Sequence, residues 1–191
     1  MTENVQHAKE IRHLNKGFHM KVDGINLSES LEDYLETILQ LETNNKVARA
    51  KDIAKRLGVV RGSVTATLKS LAEKGLINYE PYSFITLTQK GKSIAREIQR
   101  RHKVIKEFLE KVILLDPEKA EENACRMEHA IDKVAIDRLV QFIEYIYQCP
   151  RAGEDWINAF VNFYTKSTPD EKTCRECLEN CLSTYQSEPQ S

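Results

Sequence analysis

The chain has 191 residues, enough for one or two small domains with their own cores, and its 41% apolar and 30% charged residues are an ordinary globular mixture. Nothing in it approaches the ~20 consecutive apolar residues of a membrane span. Residues 1–20 hold no apolar stretch before a small-residue cleavage site, so the expectation is a cytoplasmic protein with no membrane partner. The formal net charge of −1 conceals an asymmetry: residues 46–103 carry fourteen Lys/Arg against four Asp/Glu, a net of +10, leaving −11 for the remainder. A basic block of this kind is the electrostatic footprint of a polyanion-binding module.

Residues 1–27 are polar and weakly periodic and read as an arm. Helical spacing of Leu31, Tyr34, Leu35, Ile38 and Leu41, with Ser28 or Ser30 as a cap, predicts a first helix. A second short helix follows over Ala50–Leu57, closed by Gly58. A third runs over Gly62–Lys74 with Val64, Leu68 and Leu71 inward, and Gly75 is its C-cap. Two β-prone pieces, LINYE and FITLT, are joined by Pro81, Tyr82 and Ser83 and predict a hairpin. Helix, short helix, turn, helix, hairpin is the order of a winged helix-turn-helix, here lying inside the basic block.

That order assigns residues to DNA. A recognition helix contacts base edges with its N-terminal residues, while the wing and flanking cations hold phosphates. Arg61, Ser63 and Thr65 can reach base edges or phosphate; Gly62 and Ala66 let the backbone come close; Lys69, Arg49 and Tyr82 flank them.

A long helix is expected over Gln89–Leu115 with a stripe of Ile94, Ile98, Ile105, Phe108, Leu109 and Val112. Asp116–Pro117 breaks it, and further helices are expected over Glu118–Ile131 and Ala135–Tyr147. The fold class is therefore mainly α: an arm (1–27), a winged helix-turn-helix DNA-binding domain (28–98), an all-helical dimerisation domain (99–148) and a helical Cys-containing extension (149–191).

On the helix from Glu118, Cys125, Glu128 and His129 share one side by i, i+3, i+4 spacing, away from the apolar positions Ala124, Met127, Ile131 and Val134. His102 lies at the edge of the preceding stripe. Asp33 and Glu36 share the side of the first helix opposite Leu31, Leu35 and Ile38. Singly, these residues have ordinary explanations as solvated charges or a core thiol.

In combination, residues 29–146 resemble the diphtheria toxin repressor family of metal-dependent transcriptional regulators. The resemblance is carried by SLEDYLETILQL, VARAKDIAKRLGV, GSVTATLKSLAEKGLI, ITLTQKGKSIA, RRHKVIKEFL and ACRMEHAID, in that order. It implies a repressor that binds a double-stranded palindromic operator as a homodimer. It also implies that Asp33, Glu36, His102, Cys125, Glu128 and His129 are the regulatory metal ligands. Asp33 and Glu36 are similar to the manganese-responsive branch, and the C-x-x-E-H form around Cys125 to the iron-responsive branch. Hard carboxylates suit Mn²⁺ and Fe²⁺, whereas a thiolate favours softer ions such as Fe²⁺, Co²⁺ or Zn²⁺. The iron branch's ancillary site would fall on Lys106 and Glu121 and is not carried over. The expected mechanism is a population shift in which the cation joins the first DNA-domain helix to the dimerisation domain.

Beyond the resemblance, Cys174, Cys177 and Cys181 have C-x2-C-x3-C spacing, with Cys149 as a fourth thiol. They fit a Zn²⁺ site, an Fe–S cluster, or simply packed helix positions. The same cysteines frame an alternative, a winged-helix regulator controlled by thiol oxidation. No HExxH, Gly-rich phosphate loop or nucleophile beside a base points to an enzyme.

Overall fold

The computed structural model describes residues 27–45, 47–80, 83–148 and 154–166, together with 172, 175, 176 and 179. The arm up to residue 26, Tyr82, and Cys149, Cys174, Cys177 and Cys181 lie outside the described residues. The chain divides into two compact units. One comprises His19–Lys106 and Glu118–Ile131; the other comprises Met1–Phe18, Glu107–Pro117 and Asp132–Ser191.

In the first unit α1 (Glu29–Asn45), α2 (Ala50–Leu57) and α3 (Arg61–Glu73) precede a hairpin of β1 (Ile77–Asn78) and β2 (Thr86–Leu87), followed by α4 (Gln89–Lys111), whose residues 107–111 belong to the other unit, and α5 (Pro117–Met127), of which Pro117 likewise belongs there. The apolar stripes of α1, α3 and α4 meet in one core, where Leu35, Ile38, Leu68, Leu71 and Ile98 are fully buried. Gly58 takes a left-handed φ of 66° and Gly75 one of 69°, a backbone region that costs glycine nothing. The Gly75 turn lets Leu76 N–H bond Leu71 O at 3.0 Å, which closes α3. The hairpin is antiparallel, with Ile77 opposite Leu87 and Asn78 opposite Thr86. Its strands are shorter than LINYE and FITLT suggest, and Ile85 is engaged instead in an isolated bridge to Ala48 before α2.

The start of α4 is fixed by a local network. The Thr88 hydroxyl donates to Gly75 O at 2.8 Å and accepts from Gly91 N–H at 3.1 Å, which makes Thr88 the N-cap. A Cβ on Gly91 would lie 1.9 Å from Leu76 O, so only glycine fits that contact. Glu42 accepts from Leu87 N–H at 2.8 Å and pairs with Lys92 at 3.2 Å, tying α1 to the wing and to α4.

The second unit contains α6 (Lys133–Gln148) and α7 (Glu154–Lys166). Ile136, Val140, Ile143 and Ile146 are its buried α6 stripe, and Phe108 meets Phe142 edge to face at 6.2 Å. Two helix ends depart from the sequence expectation. α4 stops at Lys111 instead of Leu115: Leu114 turns left-handed at φ 59° and Leu115 N–H bonds Leu109 O at 2.9 Å. α5 stops at Met127 instead of Ile131, so Glu128 and His129 stand in the turn that follows it. The buried α5 positions are Ala120 and Ala124, whereas Met127 and Val134 are exposed.

Candidate metal centre and nucleic-acid interface

The side chains expected to ligate metal gather around one carboxylate. Glu128 is only 2% exposed, which corrects the expectation that its face is not needed for packing. The turn after α5 still makes a helical bond, Glu128 N–H to Ala124 O at 3.0 Å, and this swings the carboxylate inward. Its Oε2 lies 2.6 Å from His102 Nδ1 and its Oε1 lies 3.4 Å from His129 Nε2. Asp33 Oδ1 is 3.2 Å from the same His129 nitrogen, and Cys125 Sγ is 3.9 Å from His102 Nδ1. Glu36 accepts from Gln40 at 3.2 Å and is close enough to Glu128 and His102 to feel both charges. The six residues singled out from the sequence therefore share one locality within the first unit.

Four neighbours are not among the site residues singled out from the sequence. Glu32 Oε2 sits 2.8 Å from His129 Nδ1, and Arg101 donates to the Glu128 backbone carbonyl at 2.9 Å. Glu121 Oε1 is 3.3 Å from His102 Nε2, and its Oε2 takes Lys106 Nζ at 2.6 Å. The donor atoms of His102, Glu121 and Cys125 all lie within 4.8 Å of one another. Glu121 and Cys125 are four apart on α5, as are His102 and Lys106 on α4, so helical spacing held this signal. Glu32 meets His129 across 97 positions and left none.

The electrostatics are those of crowded anions. Burial pushes the Asp33 carboxyl above its ordinary pKa, with His129 pulling back and Glu29, Glu128 and Glu32 adding repulsion. Burial, then the Glu128 charge, does the same to Glu36. The His102 imidazole is raised chiefly by its Glu128 hydrogen bond, against burial. Burial pulls His129 down, but Glu32, Glu128 and Asp33 outweigh it and the imidazole ends above its ordinary value. Burial and the surrounding carboxylates push the Cys125 thiol up, while Lys106 draws Glu121 down. Three carboxylates that repel one another, with two imidazoles and a thiol beside them, are a donor set that fits a divalent first-row ion.

The second locality is an open cleft of about 700 Å³ lined by Arg49, Lys51, Arg61, Thr65, Lys69, Tyr79, Ser83 and Phe84. Of the residues expected to meet DNA, Arg49, Arg61, Thr65 and Lys69 line it; Gly62, Ser63 and Ala66 are exposed on the same helix. The Ser63 hydroxyl donates to Val60 O at 2.7 Å, so it offers lone pairs outward. Val60, the N-cap of α3, makes no side-chain cap, which leaves first-turn N–H groups for an anion. Phe84 is half exposed under the Arg49 guanidinium, 5.0 Å from ring centroid to Cζ.

Residues 26–85 match the model for the iron dependent repressor N-terminal DNA binding domain, and residues 88–157 that for the iron dependent repressor metal binding and dimerisation domain. The chain belongs to the diphtheria toxin repressor family. It is 43% identical over 119 residues to an HTH-type transcriptional regulator of Methanocaldococcus jannaschii, covering 62% of this chain and 95% of that one. To the regulator MntR of Lysinibacillus sphaericus it is 33% identical over 121 residues, covering 63% and 86%. The solved structure of the manganese regulator SloR matches with a TM-score of 0.54 and 29% identity over 60% of this chain, which spans 54% of that one. Like its family, the protein is a metal-dependent helix-turn-helix transcriptional regulator and not an enzyme. Among the described residues no helix is long and apolar enough to cross a membrane.

Proposed function

We propose that this protein is a cytoplasmic repressor that binds a palindromic operator as a homodimer when Mn²⁺ or Fe²⁺ is held around Glu128. The observation that supports this best is one basic winged-helix unit in which α1, α4 and the α5 end bring six metal-ligating side chains together. Asp33, Glu36 and Glu128 would give hard oxygen donors, His102 and His129 nitrogen, and Cys125 sulfur. A bound divalent ion supplies the positive charge that the crowded carboxylates lack.

The protein's own residues do the rest. Asp33 and Glu36 belong to α1, and α1 packs directly on α2 and β2. Whatever holds Asp33 and Glu36 beside His102 and Glu128 therefore fixes the helix that carries the DNA-reading elements. This biases the population toward the arrangement that fits two half-sites. Arg49, Arg61 and Lys69 bind phosphates, and the first turn of α3 reads base edges. Pairing of copies belongs to residues 99–148, so the operator's symmetry mirrors that of the dimer.

Operator binding measured anaerobically by fluorescence anisotropy with Mn²⁺, Fe²⁺, Co²⁺ and Zn²⁺ tests this. Mn²⁺ or Fe²⁺ should tighten binding by about 5–150-fold, and Glu128→Ala with His129→Ala should remove the gain. Equal binding in chelator and in metal would overturn the reading. Operator binding that ignores chelator but responds to peroxide would likewise overturn it.

A further inference from the structure

The two histidines of the cluster are held in the same way. His102 turns Nδ1 to Glu128 at 2.6 Å and Nε2 to Glu121 at 3.3 Å. His129 turns Nε2 to Glu128 and Asp33, at 3.4 and 3.2 Å, and Nδ1 to Glu32 at 2.8 Å. Each ring thus has one nitrogen on the shared buried carboxylate and the other on a carboxylate of its own. Each of those outer carboxylates is anchored by a cation: Lys106 Nζ lies 2.6 Å from Glu121 and Arg101 Nη2 lies 3.9 Å from Glu32. Arg101 also donates to the Glu128 backbone carbonyl at 2.9 Å, which ties the outer frame to the centre.

An imidazole that ligates a metal uses one nitrogen, and the other carries a hydrogen that needs an acceptor. We propose that Glu32 and Glu121 are positioning residues for the metal centre. They accept the N–H of His129 Nδ1 and His102 Nε2 and so present His129 Nε2 and His102 Nδ1 to the ion. Arg101 and Lys106 keep the two carboxylates in place. Cys125 Sγ lies 3.9 Å from the same His102 Nδ1 that faces Glu128. Both Glu121 oxygens are already engaged, Oε1 by His102 Nε2 at 3.3 Å and Oε2 by Lys106 Nζ at 2.6 Å.

The proposal rests on the metal-site reading, and the experiment separates the two. In full-length protein loaded with Zn²⁺, long-range ¹H–¹⁵N spectra report which ring nitrogen of each histidine is metal-bound. The expected pattern is Nε2 for His129 and Nδ1 for His102; the opposite nitrogen on either ring overturns the proposal without needing any variant. Calorimetry with Mn²⁺ then compares Glu32→Ala, Glu121→Ala, Glu32→Gln and Glu121→Gln. The alanine variants should lose about 10–100-fold in affinity. The glutamine variants, which keep an acceptor oxygen, should stay within about threefold of the parent, well inside that loss. Glutamine as damaging as alanine would make the residue a direct ligand and refute its positioning role, as would alanine variants equal to the parent. Absence of Mn²⁺ and Zn²⁺ binding in the parent would bring down the metal-site reading and this proposal with it.

Discussion

At 2% exposure Glu128 has one oxygen 2.6 Å from His102 Nδ1 and the other 3.4 Å from His129 Nε2, so two imidazoles stand where water would otherwise solvate it. Glu128→Gln keeps the shape and removes the charge. The metal-dependent gain in operator affinity, about 5–150-fold in the parent, should vanish while binding in chelator is unchanged; anisotropy titrations in both conditions check this. Gly91 is as demanding for a steric reason, since a Cβ would meet Leu76 O at 1.9 Å. Gly91→Ala should cost about 1–3 kcal/mol in urea unfolding, and an unchanged midpoint would mean the α4 start can yield. Sequence and structure part company at this scale. Asp33, Glu36, His102, Cys125, Glu128 and His129 were assembled from the sequence only by resemblance to a family. Burial of Glu128 was not legible, because the histidine that compensates it, His102, is 26 positions away on another helix.

For the elements, α3 and the wing act together. Arg61 and Lys69 on α3 share their cleft with Arg49 before α2 and Phe84 at the wing. Arg49 is exposed and stacks over Phe84 at 5.0 Å, so the aromatic ring limits where its guanidinium can go. If Arg61 and Lys69 each neutralise a phosphate, Arg61→Ala or Lys69→Ala should flatten the plot of log affinity against log salt by about 1 per residue. Affinity measured across a salt series reads this directly; an unchanged slope would place both cations off the backbone. The elements themselves were legible where apolar residues recur with helical period, as on α1, α3 and α4. Their ends were not, where the stop is a backbone event. The apolar pattern runs through Leu115, yet Leu114 turns left-handed and ends the helix, and no glycine marks the place. Thr88 ends the β-prone FITLT, but its hydroxyl caps α4 because Gly75 and Gly91 bring two backbones to it.

Across the whole molecule, the metal donors and the basic block fall in the same compact unit: residues 33 and 36, 102, and 125–129 all belong to it, as do residues 46–103. The other unit contributes α6, which buries Ile136, Val140, Ile143 and Ile146 and leaves Val134, Phe142 and Tyr145 exposed. If copies pair through the part of residues 99–148 that lies in that unit, pairing and metal binding draw on different residues and should respond to different variables. A ligand that binds only the folded state stabilises it by mass action, by about 2.7 kcal/mol at a hundred times its Kd. That stabilisation should slow amide exchange where the donors sit, in α1, in α4 around His102, and at the end of α5. Hydrogen exchange at fixed protein concentration should therefore show Mn²⁺ protecting Glu29–Asn45 and Pro117–Met127, while Lys133–Gln148 exchanges at the same rate with and without the ion. Raising the protein concentration should do the reverse, protecting α6 through its covered aromatic residues. Protection of α6 that follows the ion and ignores concentration would mean the two units respond as one, and that the ion works by changing how copies pair instead of by fixing α1.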